Sequence, residues 1–192
     1  LYNSSDVSYL IHQIERNVPS CVSVSLPTAK PNTQQNSFEN LQVLSISHPA
    51  LIKYLGERCI DIEIARTVCK ELHFDTRGKH YFGIGFPNIA GGYEIRNSFF
   101  KGCIAPKDIS HFYVEEPKKV CFLFEGFMDF LSFMMLRRKE NDGLKRQDYL
   151  VLNSVSNIQK ALEPLSHYEN VQCFLDTDEA GRNAYLQLSK EL

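Results

Sequence analysis

Three short, nearly uninterrupted apolar runs constrain this chain more than any other feature: VCFLF at 120–124, YLVL at 149–152 and VQCFL at 171–175. Each is followed by a stretch with helical spacing, FMDFLSFMMLRRK, VSNIQKALEPL and EAGRNAYLQLSKEL in turn. A strand with one wet face alternates apolar and polar residues, whereas a strand covered on both faces by crossover helices does not. The pattern therefore predicts a βαβαβα unit with a parallel sheet over residues 116–192. Right-handed crossovers bring the carboxyl ends of such strands to one edge. Glu125 follows the first run, Asn153 and Ser154 follow the second, and Asp176 and Asp178 follow the third, so all are expected at one rim.

The grammar upstream is different. Residues 1–44 read as an N-terminal segment, SYLIHQIERNV, and a linker, PSCVSVSLPTAKPNTQQNS, rich in Ser, Pro, Thr, Asn and Gln. Residues 45–115 read as a small α+β subdomain. In SHPALIKYLGERCI, Ser47 is the expected cap, Pro49 lies in the first turn, and Leu51, Ile52 and Leu55 form one face. In DIEIARTVCKELHF, Asp61 is the expected cap, with Ile64, Val68 and Leu72 spaced for burial. KHYFGIGFPN and GGYEIRNSFFKG then read as an antiparallel hairpin, from or just after which Arg96, Lys101 and Lys107 project. The stretch DISHFYVEEPKK links this subdomain to the parallel sheet.

A chain of 192 residues, 43% hydrophobic and 23% charged, suits one globular domain or two small packed ones. It has no apolar run near the roughly 20 residues of a membrane span and no basic-then-apolar leader, so a cytoplasmic protein is expected, with no membrane partner. The six cysteines are scattered without C-x-x-C spacing, which indicates neither a zinc site nor a disulfide framework. The net charge of -2 offers no global attraction for nucleic acid. Its distribution is more informative: residues 53–107 hold nine Lys or Arg against six Asp or Glu, and residues 108–192 hold ten against fourteen.

Strands in a sheet lie about 4.8 Å apart. Glu125 and Asp176 would therefore reach one shared cation if their strands are neighbours. Gly126 and Gly181 are expected to let the backbone turn closely beside them. Asp129 falls in the first turn of the next helix, where an interaction with the helix dipole explains it equally well; Asp178 or Glu179 could equally be a helix cap. Four acids with no basic residue in the same loops repel unless a divalent ion binds, and hard oxygen donors favour Mg²⁺ or Mn²⁺.

EGFMD at 125–129 and DTDEAG at 176–181, in this order and each after an apolar strand, resemble the Toprim superfamily, with DnaG-like bacterial primases and their mobile-element relatives as the nearest type. LIKYLGERCIDIEIARTVC resembles the helical opening of the primase core, and GKHYFGIGFPNIAGGYEIRNSFFKG its strand-rich basic piece. The resemblance implies an α/β Toprim-like sheet preceded by two helices and a β-hairpin. It implies Glu125 as general acid or base and metal holder, Asp176 and Asp178 as the metal pair, and Asp129 as the supporting acid. Arg96, Lys101 and Lys107 would contact nucleic acid or nucleotide phosphates. The implied activity is Mg²⁺- or Mn²⁺-dependent primer synthesis from nucleoside triphosphates on a single-stranded DNA template, with a helicase or relaxase as partner.

The family's zinc ribbon has no counterpart here, and only fourteen residues follow Asp178. With Leu1 rather than Met at its start, the chain is expected to be a core fragment or a reduced relative, with activity not assured in isolation. Three alternatives stand beside this reading. A haloacid dehalogenase-like phosphatase would use the first aspartate of D-x-D as nucleophile but would have a long catalytic region after it. A Toprim nuclease or topoisomerase would turn the same carboxylates on a phosphodiester. A non-catalytic module would bind single-stranded DNA by stacking on Tyr81, Phe82, Phe86, Tyr93, Phe99 or Phe100.

Overall fold

Two sheets organise the residues that the computed structural model describes, 38–113, 118–138 and 147–192. The first is antiparallel, with strands in chain order: β1 (Glu39–Leu44), β2 (Lys70–Thr76), β3 (Lys79–Pro87), β4 (Tyr93–Arg96) and β5 (Lys101–Ile104). Helices α1 (Pro49–Glu57) and α2 (Ile62–Val68) connect β1 to β2. The second sheet contains β6 (Ser110–Phe112), β7 (Val120–Phe124), β8 (Asp148–Val151) and β9 (Asn170–Phe174) in the order β6-β8-β7-β9. β7 runs parallel to both β8 and β9, and β6 is antiparallel to β8. Helices α3 (Phe127–Arg137), α4 (Ile158–Leu165) and α5 (Glu179–Glu191) follow β7, β8 and β9. The predicted βαβαβα unit and the α/β class are thus present.

Burial explains why the first two apolar runs do not alternate, whereas the third forms the edge strand β9, whose Gln172 and Phe174 are exposed, so it is not covered on both faces as expected. Phe122, Phe124, Tyr149 and Val151 face a core shared with α1, α2, α3 and the β3 residues Ile84 and Phe86. Cys121, Leu123, Leu150 and Leu152 face the other way, onto Ile158, Ala161 and Leu165 of α4 and Ala184 and Leu188 of α5. Consecutive residues of β7 and β8 therefore need to be apolar on both faces. From β7 the chain moves to β8 on one side and then crosses to β9 on the other, so the order reverses between β7 and β9. In open α/β sheets, that reversal is where ligands bind, beyond the strands' carboxyl ends.

Several upstream expectations change. The second helix stops at Val68, because Cys69 is already extended (φ -115°, ψ 160°) and residues 70–76 form β2. Leu72 and Phe74 point into one core while Glu71, His73 and Asp75 take the opposite face, a period of two that mimics the helical spacing Ile64, Val68, Leu72 over a short window. β2 turns into β3 through Arg77 (φ 51°) and Gly78 (φ 70°), a two-residue turn with both central residues left-handed. The expected hairpin, β3 with β4, is one link of this longer meander. The α1 cap is His48, whose Nδ1 accepts from the Ala50 N–H at 3.2 Å; Ser47 instead donates its backbone N–H to the Glu71 carboxylate. Leu51 and Leu55 are buried but Ile52 lies off their face. Asp61 caps α2 as expected, accepting from the Glu63 N–H at 2.8 Å.

Two strands occupy stretches read as connections. β1 is solvent-exposed along its length and bulged between Glu39 and Gln42, so it lacks the buried alternation that identifies a strand in sequence. β6 is three residues long and is held by pairing to β8. The N-terminal stretch SYLIHQIERNV and the linker PSCVSVSLPTAKPNTQQNS lie outside the described residues. Among the described residues, no helix is long and apolar enough to cross a membrane.

Candidate active site

Because β7 and β9 are adjacent, with Phe124 opposite Phe174, the residues just beyond them meet. The Glu125 N–H donates to the Phe174 carbonyl (3.3 Å), and the Asp176 N–H donates to the Glu125 carboxylate (3.1 Å). Asp129 sits in the first turn of α3, one turn after Glu125. These three carboxylates line one cleft of about 380 Å³, and Arg96, Lys101 and Lys107 line it with them. Asn153 and Ser154, at the end of β8, complete the rim. Asn153 is left-handed (φ 63°) and ties that loop to β6 by donating to the Asp108 carbonyl (2.9 Å) and to Ser110 Oγ (3.0 Å).

The electrostatics follow from this convergence. Partial burial pushes the Glu125 carboxyl above the usual glutamate range; the Asp176 N–H bond opposes this, and the charges of Asp176, Asp178 and Asp129 add to the rise. Asp129 keeps solvent contact, yet the protein crowding around it and the Asp176 charge raise it too, with Arg96 and Arg58 pulling the other way. The cleft also holds a carboxylate that the sequence reading passed over. Glu94 shares the face of β4 with Arg96, two residues on, and burial raises it against the pull of Lys107, Lys101 and Arg96. The alternation in YEIR carried that signal, since i and i+2 of a strand share a face.

Asp178 is placed differently from the other acids. It is the N-cap of α5, its Oδ1 accepting from the Gly181 N–H at 2.9 Å, and it does not line the cleft. Among the described residues, no three His, Cys, Asp or Glu side chains stand together as a metal-holding group. The chemistry of the donors nonetheless suits a hard dication: every acid at this rim offers oxygen only, and Glu125 is raised first by burial and further by the negative charge of Asp176, Asp178 and Asp129.

The two glycines behave unequally. Gly126 is ordinary extended backbone (φ -128°, ψ 156°), so no turn requires it; a Cβ there would approach the Asp129 carboxylate at 3.2 Å. At Gly181 a Cβ would lie 2.1 Å from the Asp176 carbonyl oxygen, which only a backbone shift could relieve. Gly181→Ala is expected to cost about 1–3 kcal/mol of stability and to displace Asp176. Thermal unfolding together with a Mn²⁺ titration checks this; an unchanged melting temperature would show that α5 can slide freely past Asp176.

Comparison with known proteins places these motifs. Residues 122–192 match the family model described as Toprim-like, and residues 40–105 match one described as a domain of unknown function. No curated protein sequence matches the chain. Among solved structures, the primase fragment of the bacteriophage T7 primase-helicase protein superposes with a TM-score of 0.51 at 18% identity, over 94% of this chain and 72% of that one. A chain from the complex of bacteriophage T7 lagging-strand DNA polymerase with primase domains bound to an RNA/DNA hybrid and dTTP gives a TM-score of 0.50 at 15% identity, over 80% of this chain and 76% of that one. At these identities the likeness is one of fold. Residues 122–192 are therefore similar to Toprim-like domains, and the α/β fold of the chain is like that of the primase fragment.

Proposed function

We propose that this Toprim-like chain is the core of a primase-type nucleotidyltransferase, which joins nucleoside triphosphates into short primers on single-stranded DNA during replication or transfer of a bacterial chromosome or mobile element. The observation that carries the reading is the two-sided cleft, with Arg96, Lys101 and Lys107 of the β4–β5 region facing Glu125, Asp129 and Asp176 at the ends of β7 and β9. The likeness of fold to a primase fragment supports it. The cations would hold the phosphates of nucleotide or template. Glu125, raised by its surroundings, is suited to take the proton of the attacking 3′-hydroxyl. Mg²⁺ or Mn²⁺ would be held by Glu125 and Asp176, with Asp129 in support; Asp178, whose Oδ1 is taken by the Gly181 N–H, would contribute only through its other oxygen, at the edge of the cleft. Such an ion, when bound, stabilises charge on the reacting phosphates and orients the attacking hydroxyl. A helicase or relaxase acting on the same strand is the partner this reading implies.

Asp176→Asn and Asp178→Asn are expected to abolish Mn²⁺ binding measured by titration, and with it primer synthesis on single-stranded DNA. Unchanged Mn²⁺ binding in both variants would remove these residues from the metal site. Primer synthesis surviving in both would overturn the catalytic reading.

A further inference from the structure

Six aromatic residues of the meander invite a role in stacking, and the structure separates them. Phe86 is fully buried, Phe82 stacks on the His48 ring at 4.1 Å between centroids, and Tyr81 stacks on Phe74 at 5.9 Å. Tyr93 packs against the small core of Leu72, Phe74, Ile95 and Ile104. Phe100 lies over Gly102, where even a Cβ would come within 2.3 Å of its ring. Phe99 is different: it is 99% exposed, at the tip of the β4–β5 hairpin.

The turn that presents Phe99 is held firmly. The Asn97 N–H donates to the Phe100 carbonyl (3.0 Å), the Phe99 N–H donates to Asn97 Oδ1 (2.8 Å), and Asn97 Nδ2 donates to the Phe82 carbonyl of the neighbouring strand (2.7 Å). An apolar ring displayed in water on an ordered turn loses little further entropy when something covers it. The arms of the same hairpin indicate what that partner is. Arg96 and Lys101 are directly opposite each other in the β4–β5 register, and both line the catalytic cleft. Like charges in that position destabilise an antiparallel pair; Glu94 and Asp129 in the same cleft offset part of this repulsion, and a phosphate lying across the pair offsets more. Ser98, beside Phe99, lines an adjoining cavity of about 580 Å³ together with Arg58 and Asp129.

We infer that Phe99 is a stacking platform for a nucleobase of single-stranded nucleic acid whose phosphates cross the Arg96–Lys101 pair. A ring that stacks on any base, next to cations that follow the backbone, is the pattern of sequence-tolerant strand binding. The identification of that strand as template rests on the primase reading. The stacking contact itself rests on the exposure of Phe99 and the opposed cations.

The chain contains no tryptophan, so Phe99→Trp supplies a single fluorescent reporter at the proposed contact. Its emission is expected to be quenched by a short oligodeoxythymidylate and not by an abasic deoxyribose-phosphate strand of the same length. Phe99→Ala is expected to bind the oligodeoxythymidylate roughly tenfold more weakly and the abasic strand as well as the unsubstituted protein does. Emission unmoved by saturating oligonucleotide, equal affinity in Phe99→Ala, or no strand binding by the unsubstituted protein would each overturn the inference. The two readings fail separately. Quenching together with primer synthesis that survives Asp176→Asn and Asp178→Asn would sink the catalytic reading alone. Aspartate-dependent synthesis without quenching would sink the stacking contact alone.

Discussion

On the proposed primase reading, primer synthesis by the Glu125→Gln protein is expected to fall by about 10²–10⁴-fold, while its melting temperature rises. Gln keeps the length of Glu125 and an oxygen that can still accept the Asp176 N–H, so the geometry between β7 and β9 is retained. What disappears is a partly buried negative charge held among Asp176, Asp178 and Asp129. The folded-state pKa of Glu125 lies above its unfolded value, so the native chain binds that proton more tightly than the unfolded chain does. Ionised Glu125 therefore penalises the fold fully above its folded pKa, and the penalty disappears below the unfolded value of about 4.3. Discounted for solvent at the cleft, the relief is on the order of 1 kcal/mol, or about 2–4 °C in melting temperature for a chain of this size. Thermal unfolding between pH 4 and 8 should show the variant more stable at the alkaline end and indistinguishable at the acid end. A variant less stable at pH 8 would mean that the carboxylate holds the two strands together rather than straining them.

Phe130→Ala should produce the largest loss of stability, about 3–5 kcal/mol. Phe130 is 0% exposed, and its ring meets those of Phe86 (6.0 Å), Phe112 (5.4 Å), Phe124 (5.5 Å) and Tyr149 (5.4 Å). These partners come from β3, β6, β7 and β8, so one side chain on α3 joins both sheets. Removing it opens a cavity that none of the four can fill without leaving its own strand. The same helix carries Asp129 at its first turn, so the loss should also make the cleft labile to heat. Urea unfolding measures the effect, with Phe130→Leu expected to lose much less because it keeps most of the volume. A loss below about 1 kcal/mol would mean that the sheets are held together elsewhere.

The legible and illegible parts of this fold divide along a physical line. β7 and β8 could be read because their apolar residues are continuous, which only burial on both faces explains. α2 is shorter than its spacing predicts because Ile64, Val68 and Leu72 fit a helical period over a window too short to expose the two-residue period of β2. β1 and β6 gave little sign of themselves: one is exposed throughout, and the other is three residues stabilised by a partner forty residues away in the chain. In the site, Glu125 and Asp176 were legible as charges directly after apolar strands, whereas Asp129 and the cations Arg96, Lys101 and Lys107 entered only through the family resemblance. Glu94 was overlooked, although it shares a face with Arg96.

Local pattern alone determined that acids would gather at one rim, since an uninterrupted apolar strand with crossover helices leaves its carboxyl end nowhere else to go. Only the tertiary structure decided that β7 and β9 are neighbours, that the cations of one sheet face the carboxylates of the other, and that Asp178 turns to cap α5 instead of entering the cleft. Strand order and side-chain direction depend on contacts between residues far apart in the chain, and those contacts compete on energies that no short stretch of sequence contains.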